Sequence, residues 1–148
     1  MLCRSRSYSG LSVAVIQSKP FTAHDSRTLL VDTVVADRGQ LVDKLNHAGF
    51  RTDFALSWRA AHAALRVSSY HSCIVVADID QRAERARIVE LRRAIPRVWM
   101  IVLGDQPSER ARKAVLRRGV DAVLSAPFSM HDLTARLAAL SVRSRPSF

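Results

Sequence analysis

The chain has few of the residues that define specialised protein classes. Its only two cysteines, Cys3 and Cys73, lie far apart and fit neither a disulfide framework nor a zinc-ligand spacing. Five glycines and five prolines are too few for a collagen-like or low-complexity chain. No stretch approaches the ~20 apolar residues that a membrane-spanning helix needs. These absences predict a folded, cytoplasmic protein without a membrane anchor.

Acidic residues are scarce beside basic ones. The chain has 13 Asp and Glu against 23 Lys and Arg, which gives a formal net charge of +10. Because clustered basic residues bind phosphate backbones, a nucleic-acid-associated module is one hypothesis. Two predicted helices carry many of these charges, at Arg82, Arg85, Arg87, Arg92, Arg93, Arg110, Arg112, Lys113, Arg117 and Arg118. Since most of them fall at polar helix positions, a solvated face explains them at least as well.

Hydrophobic residues make up 48% of the 148 positions, which suffices for one domain with a buried core. Residues 1–27 are rich in Ser, Arg and Thr without sustained periodicity, so they predict a mobile or disordered leader. The domain is expected at 28–142, with a basic tail at 143–148. The five histidines show no repeated ligand spacing and indicate no metal site.

Strand-like runs and helical patterns alternate five times within residues 28–142. The predicted strands are Leu29–Val35, Phe50–Ala55, Cys73–Ala77, Val98–Leu103 and Ala122–Ser125. Gly49 and Gly119 should close two helices as left-handed caps, while Ser57 and Ser129 should cap the starts of two others. This alternation predicts an α/β fold with a doubly wound five-stranded parallel sheet and helices on both faces.

Ligands in such a fold collect outside the carboxyl ends of the strands. Asp37, Asp78 and Gly104 follow the first, third and fourth predicted strands. The sequence therefore places these three residues at one crevice.

Five short motifs occur in a characteristic order. They are Val34-Val35-Ala36-Asp37, Gly49-Phe50, Ile74-Val75-Val76-Ala77-Asp78, Gly119-Val120-Asp121 and Pro127-Phe128. In this order and spacing, the segment from Thr28 to about Val142 resembles the receiver domain of bacterial response regulators, a (βα)5 flavodoxin-like fold. The resemblance implies a non-enzymatic role in two-component phosphorelay signalling. It also implies a protein partner, either a histidine kinase or a downstream regulator, and homodimers like those common in the family.

The resemblance further identifies Asp78 as the phosphoacceptor. Receivers hold Mg²⁺ with two acidic positions after the first strand, the phosphoacceptor, and a backbone carbonyl two residues beyond it. Ala36 stands at the first of these positions, while Asp37, Asp78 and the carbonyl of Asp80 remain. An alternative register, with a longer first helix, places Asp32 and Thr33 at the acidic positions instead.

In either register one acidic residue is missing. The resemblance therefore implies no cofactor other than weakly bound Mg²⁺ in an acidic pocket.

Three positions that read a phosphoryl group in the family are changed. Gly104 stands where receivers place Thr or Ser, although a one-residue slip would bring Asp105 there. Ala126 replaces the lysine before the Pro-Phe pair, and Val123 replaces the aromatic residue of strand five. Because the lysine couples phosphorylation to loop movement, these changes imply a stand-alone pseudo-receiver used as a fixed protein-interaction module.

The interaction face implied by the resemblance combines the last two helices with strand five. A receiver that is still weakly phosphorylated on Asp78 is the alternative. We also hypothesise that Arg38 or Arg82 pairs with Asp78 or Asp37 and supplies positive charge in cis.

Overall fold

The computed structural model describes residues 13–16, 27–33 and 38–141. The strands are β1 (Val13–Ile16), β2 (Arg27–Asp32), β3 (Arg51–Ala55), β4 (Ser72–Val76), β5 (Trp99–Gly104) and β6 (Ala122–Ser125). The helices are α1 (Arg38–His47), α2 (Trp58–Val67), α3 (Arg82–Ala94), α4 (Glu109–Arg117) and α5 (Met130–Ser141). Within these residues, no helix is both long and apolar enough to cross a membrane.

All strands belong to one sheet of order β1-β3-β2-β4-β5-β6. The five strands from β2 to β6 pair in parallel, which confirms the predicted doubly wound architecture. β1 adds an antiparallel edge strand beside β3, with Val13 opposite Ala55. The prediction of an unstructured leader is therefore wrong for Val13–Ile16. The rest of residues 1–26 and the predicted tail at 143–148 lie outside the described residues.

Helices cover both faces of the sheet because the central strands alternate their side chains between two apolar clusters. One cluster joins Leu30, Ile74 and Ile101 of the strands to Val42 and Leu45 of α1 and to Leu133 and Leu137 of α5. The other joins Leu29, Val31, Val75 and Met100 to Ala61 and Ala64 of α2, Ile88 and Leu91 of α3, and Val115 of α4. α1 and α5 thus share one face, and α2, α3 and α4 share the other.

The predicted helix caps are confirmed. Gly49 and Gly119 have φ values of 101° and 105°, the left-handed conformation that glycine adopts without strain. The amide of Val120 bonds to the carbonyl of Val115 and that of Gly119 to Leu116, which together form a Schellman motif at the end of α4. A Cβ atom added to Gly119 would also lie 3.3 Å from Cδ of Arg92, so the close approach of Arg92 favours glycine here as well.

The first predicted strand ends earlier than its apolar pattern suggests. β2 stops at Asp32, three residues before the predicted end at Val35, and α1 begins at Arg38. Residues 34–37 lie outside the described part of the chain, and with them Ala36 and Asp37. Asp32 at the strand end is the residue that the alternative register placed in the acidic pocket.

Arg92 is a buried cation at the amino-terminal edge of the sheet. Its guanidinium donates to the carbonyl of Ile95, to the carbonyl of Val98 at 2.6 Å, and to Oδ2 of Asp121 at 3.4 Å. The same carboxylate oxygen accepts from the amide of Met100 at 2.9 Å. These bonds fasten the end of α3 to the starts of β5 and β6.

Replacing Arg92 with Met should lower the free energy of unfolding by about 3 kcal/mol, because two buried carbonyls and a carboxylate lose the bonds that the guanidinium donates. Chemical denaturation measures the change. Arg93→Met is the matched control, since the neighbouring Arg93 is exposed, and it should stay within about 0.5 kcal/mol of the wild type. Equal losses in the two variants would show that the buried network contributes nothing specific.

A second polar cluster lies at the same edge. Oδ2 of Asp53 in β3 accepts from Nη2 of Arg27 at 2.9 Å and from the hydroxyl of Tyr70 at 2.5 Å. The Arg27 guanidinium also lies over the Tyr70 ring, 5.1 Å from its centroid. Between β2 and β4, the hydroxyls of Thr28 and Ser72 bond at 2.9 Å. The buried side chains of Thr28, Asp53 and Ser72 therefore all have hydrogen-bond partners.

Burial raises the pKa of Tyr70 far above its ordinary value of 10.0, and the neighbouring Asp53 carboxylate raises it further, while Arg27 opposes the shift. The neutral phenol therefore contributes stability in full below pH 10, and this contribution is lost as the pH rises through the folded-state pKa.

In an alkaline titration followed by tyrosinate absorbance, one tyrosine should resist ionisation. Tyr70→Phe should remove that resistant fraction and Tyr8→Phe should leave it. A resistant fraction that survives in Tyr70→Phe would contradict the assignment.

Candidate functional site

A crevice of about 570 Å³ opens at the carboxyl-terminal edge of the sheet. It lies beside the point between β2 and β4 where the strand order reverses, the usual ligand site of doubly wound folds. Its walls are Asp32, Gln40, Leu41, Lys44, Val76, Ala77, Asp78, Leu103, Gly104, Asp105, Ala126, Phe128 and Met130. The structure thus brings together the predicted residues Asp78, Gly104 and Ala126.

Asp78 is exposed to solvent and is held by the turn that follows it. Its Oδ1 accepts from the amide of Asp80 at 3.2 Å, and its Oδ2 accepts from Nε2 of Gln81 at 3.2 Å. Both groups that donate to Asp78 are therefore neutral amides, whereas we hypothesised an arginine. Arg82 lines a different groove, so the structure contradicts a pairing of Arg82 with Asp78. Asp37 and the side chain of Arg38 lie outside the description, so the other pairings stay a hypothesis.

Asp80, predicted to belong to the acidic pocket, is not among the wall residues of the crevice. Its carboxylate oxygens accept from the amide of Ser108 at 3.2 and 3.3 Å. Its carbonyl accepts from Nη1 of Arg85 at 3.0 Å, and the same nitrogen donates to the carbonyl of Ile79 at 2.8 Å. Asp80 therefore links the β4–α3 turn to the loop before α4.

Lys44 lines the crevice, although no sequence pattern indicated it. It lies on α1 four residues after Gln40, so the two side chains project from the same face of the helix. Because α1 begins at Arg38, its first two turns bring Gln40, Leu41 and Lys44 together at the ends of the strands.

Gly104 ends β5 beneath Pro107. A Cβ at this position would lie 3.3 Å from both Cδ and Cγ of Pro107, closer than side chains normally approach. Asp105, the residue that a one-residue slip would bring in, also lines the crevice. The close contact with Pro107 gives the physical reason for glycine at position 104.

Arg112 of α4 is a further contact that sequence reasoning missed. Its Nη2 donates to Oγ of Ser125 at 2.7 Å and its Nη1 to the carbonyl of Val123 at 3.3 Å. Val123 is itself buried in β6. Arg112 therefore ties α4 to the last strand, beside the position where receivers carry their aromatic residue. The Ala126–Pro127 peptide bond that follows β6 is cis.

Comparison with solved structures identifies the fold. A structure of an orphan response regulator of H. pylori superposes with a TM-score of 0.67 at 19% identity, covering 80% of this chain and 98% of that one. The fold is that of response-regulator receiver domains. An atypical orphan response regulator, described as revealing a phosphorylation-independent regulatory mechanism, gives a TM-score of 0.66 at 20% identity over 81% and 99%. A chemotaxis protein of Vibrio cholerae gives 0.65 at 18% identity over 78% and 98%.

At these identities the likeness establishes the receiver fold alone. No protein-family model matches the sequence, and no curated protein matches it either. What the domain does must therefore be argued from the crevice and the surfaces of this chain.

The described part of the crevice does not assemble the magnesium ligands of a receiver. Within residues 13–16, 27–33 and 38–141, no group of three His, Cys, Asp or Glu side chains could hold a metal. The Asp80 carbonyl already accepts from the Arg85 guanidinium, which places positive charge where the ion would need a lone pair. Asp37, predicted as a ligand together with Asp78, is outside the described residues. We therefore derive no chemistry through Mg²⁺.

Gly104→Thr, which restores the hydroxyl residue of receivers, should lower the free energy of unfolding by roughly 1–3 kcal/mol, because the added atoms meet Pro107. A double-mutant cycle with Pro107→Ala measures the coupling. In the Pro107→Ala background, the penalty at position 104 should be smaller. An unchanged penalty would mean that contact with Pro107 does not determine the residue at position 104.

Proposed function

We propose that this protein is a receiver-fold signalling module that binds a protein partner without being phosphorylated. Its interaction face is formed by α4, β6 and α5. The observation that carries the proposal is the charge of the crevice, and the fixed loops around it add independent support. The atypical orphan regulator of the same fold, described as having a phosphorylation-independent regulatory mechanism, is a precedent that supports this proposal.

The described walls of the crevice contain three carboxylates, Asp32, Asp78 and Asp105, and one ammonium group, Lys44. A phosphoryl group on Asp78 would bring a charge of about −1.5 to −2 to this place. Receivers balance that charge with Mg²⁺ and a lysine before the Pro-Phe pair, and here that lysine is Ala126. The crevice therefore disfavours a phosphorylated Asp78.

The loops that respond to a phosphoryl group in receivers are tied down in this chain. Pro107 packs against Gly104, Asp80 accepts from the amide of Ser108, and Arg112 donates to Ser125. These contacts connect the loop before α4 to β5 and to the β4–α3 turn, and they connect α4 to the end of β6. They favour one arrangement of these loops, which supports a mode of binding that does not depend on phosphorylation.

The proposed face carries an exposed apolar residue. Leu116 of α4 is 38% exposed. It lies one helical turn beyond Arg112, on the side of α4 that faces β6. A partner that covered this face would bury Leu116, and the ties of Arg112 would hold α4 in place for it.

A titration of the ¹⁵N-labelled protein with Mg²⁺ and then with beryllofluoride, followed by amide NMR, tests the proposal. We expect weak, non-saturating shifts near Asp78 and none at Leu116 or Val123, because the crevice repels the anion and the loops are tied. Asp105→Ala serves as the matched control for Asp78→Ala, since both remove one crevice carboxylate. Saturating shifts that reach Val123 and vanish only in Asp78→Ala would establish a phosphorylated receiver and overturn the proposal.

A further inference from the structure

A groove of about 530 Å³ runs between α3 and α4, away from the crevice and on the opposite side of α4 from β6. Arg82, Arg85 and Arg93 line it from α3, and Arg118 lines it from the end of α4. The α3 residues recur at helical spacing, so they form one face of that helix. From Arg82 to Arg93 this face extends about 16 Å, or three turns.

The groove has a net positive charge. Its single acidic wall residue, Glu90, lies 3.8 Å from Nε2 of His62 on α2. Arg85 donates to backbone carbonyls, which are neutral and leave its charge uncompensated. Among the described residues, no carboxylate forms an ion pair with Arg82, Arg93 or Arg118. Four guanidinium groups thus face one carboxylate.

The floor between these arginines is apolar. Ala86 and Val89 of α3 lie opposite Ala114 and Val115 of α4. Small side chains at Ala86 and Ala114 allow close approach, and Val89 and Ala114 are only partly buried. A ligand that fills the groove must therefore present apolar atoms to its floor as well as negative charge to its rims.

We infer that this groove binds an amphipathic segment of a partner protein that carries carboxylates on its flanks. Apolar side chains of the segment cover Val89 and Ala114, and its carboxylates pair with the arginine rims. A nucleic acid backbone satisfies the rims alone, because phosphates offer nothing apolar to the floor. This site is separate from the α4–β6–α5 face, so it stands or falls independently of the proposed function.

The probe is a synthetic helical peptide of about 14 residues, ~20 Å long, with leucines on one face and glutamates flanking them. A second peptide replaces every glutamate with glutamine and keeps the apolar face. Titrated into the ¹⁵N-labelled protein, the glutamate peptide should shift the amides of Val89, Ala114 and Arg118. The glutamine peptide should bind about tenfold more weakly or not at all, because the arginines have no charge to pair with.

Two double variants locate the site. Arg93→Ala with Arg118→Ala removes two groove arginines, while Arg87→Ala with Arg117→Ala removes two exposed arginines outside the groove on the same helices. The net charge changes equally in both, so nonspecific attraction falls equally. Only the groove variant should lose about tenfold in affinity for the glutamate peptide. Amide spectra confirm that both variants are folded.

Three outcomes of the peptide titrations would overturn the inference. The glutamate peptide could fail to bind at millimolar concentration, or both peptides could bind alike, or both double variants could weaken binding alike. A random-sequence duplex DNA is titrated in parallel. If the groove variant loses affinity for DNA and not for the peptide, the groove is a phosphate-binding surface and the assignment to a protein segment is wrong.

Discussion

The central strands of the sheet are buried on both faces, and this constraint determines where polar groups can lie. Leu29, Leu30 and Val31 in β2 are fully buried, as are Cys73, Ile74 and Val75 in β4. In the middle of such strands a polar side chain would have no water, so the polar residues of β2 and β4 lie at the strand ends, where Thr28 and Ser72 bond to each other. Because β2 to β6 all run in the same direction, their amino-terminal ends meet at one edge of the sheet and their carboxyl-terminal ends meet at the other. The two edges are therefore lined by different loops and carry different polar groups.

The two edges differ in how completely their polar groups are engaged. At the amino-terminal edge, Asp53 and Asp121 each accept two or more hydrogen bonds, and both bond to arginines. Such buried charges are tolerated because they are paired, and they fix the ends of strands and helices. At the carboxyl-terminal edge, Asp78 is exposed, and among the described residues its carboxylate accepts two bonds of 3.2 Å from its own turn. The first edge is structural, and the second is open to a solute.

Local signals in the sequence were sufficient for the five parallel strands and the helix caps. Apolar runs located β2 to β6, and Gly49 and Gly119 marked helix ends because their left-handed conformation favours glycine. Features that depend on distant partners were not predictable in this way. β1 needs β3 beside it, and the end of β2 was obscured because Val34 and Val35 continue the apolar run. Arg92 and Arg112 look in the sequence like their solvated neighbours, and only the packing of α3 and α4 shows that they reach inward.

The arginines of α3 and α4 consequently do not form one uniform basic surface. Arg92 and Arg112 bond to backbone carbonyls and hold the helices in place, whereas Arg82, Arg93 and Arg118 line the groove between them. The helix α4 separates this groove from the face formed with β6 and α5. Because Arg112 fixes α4 to β6, a partner in the groove has no loose element to displace toward that face. If both surfaces bind partners as proposed, occupation of one should leave the geometry of the other unchanged, as in a rigid adaptor and unlike a switch.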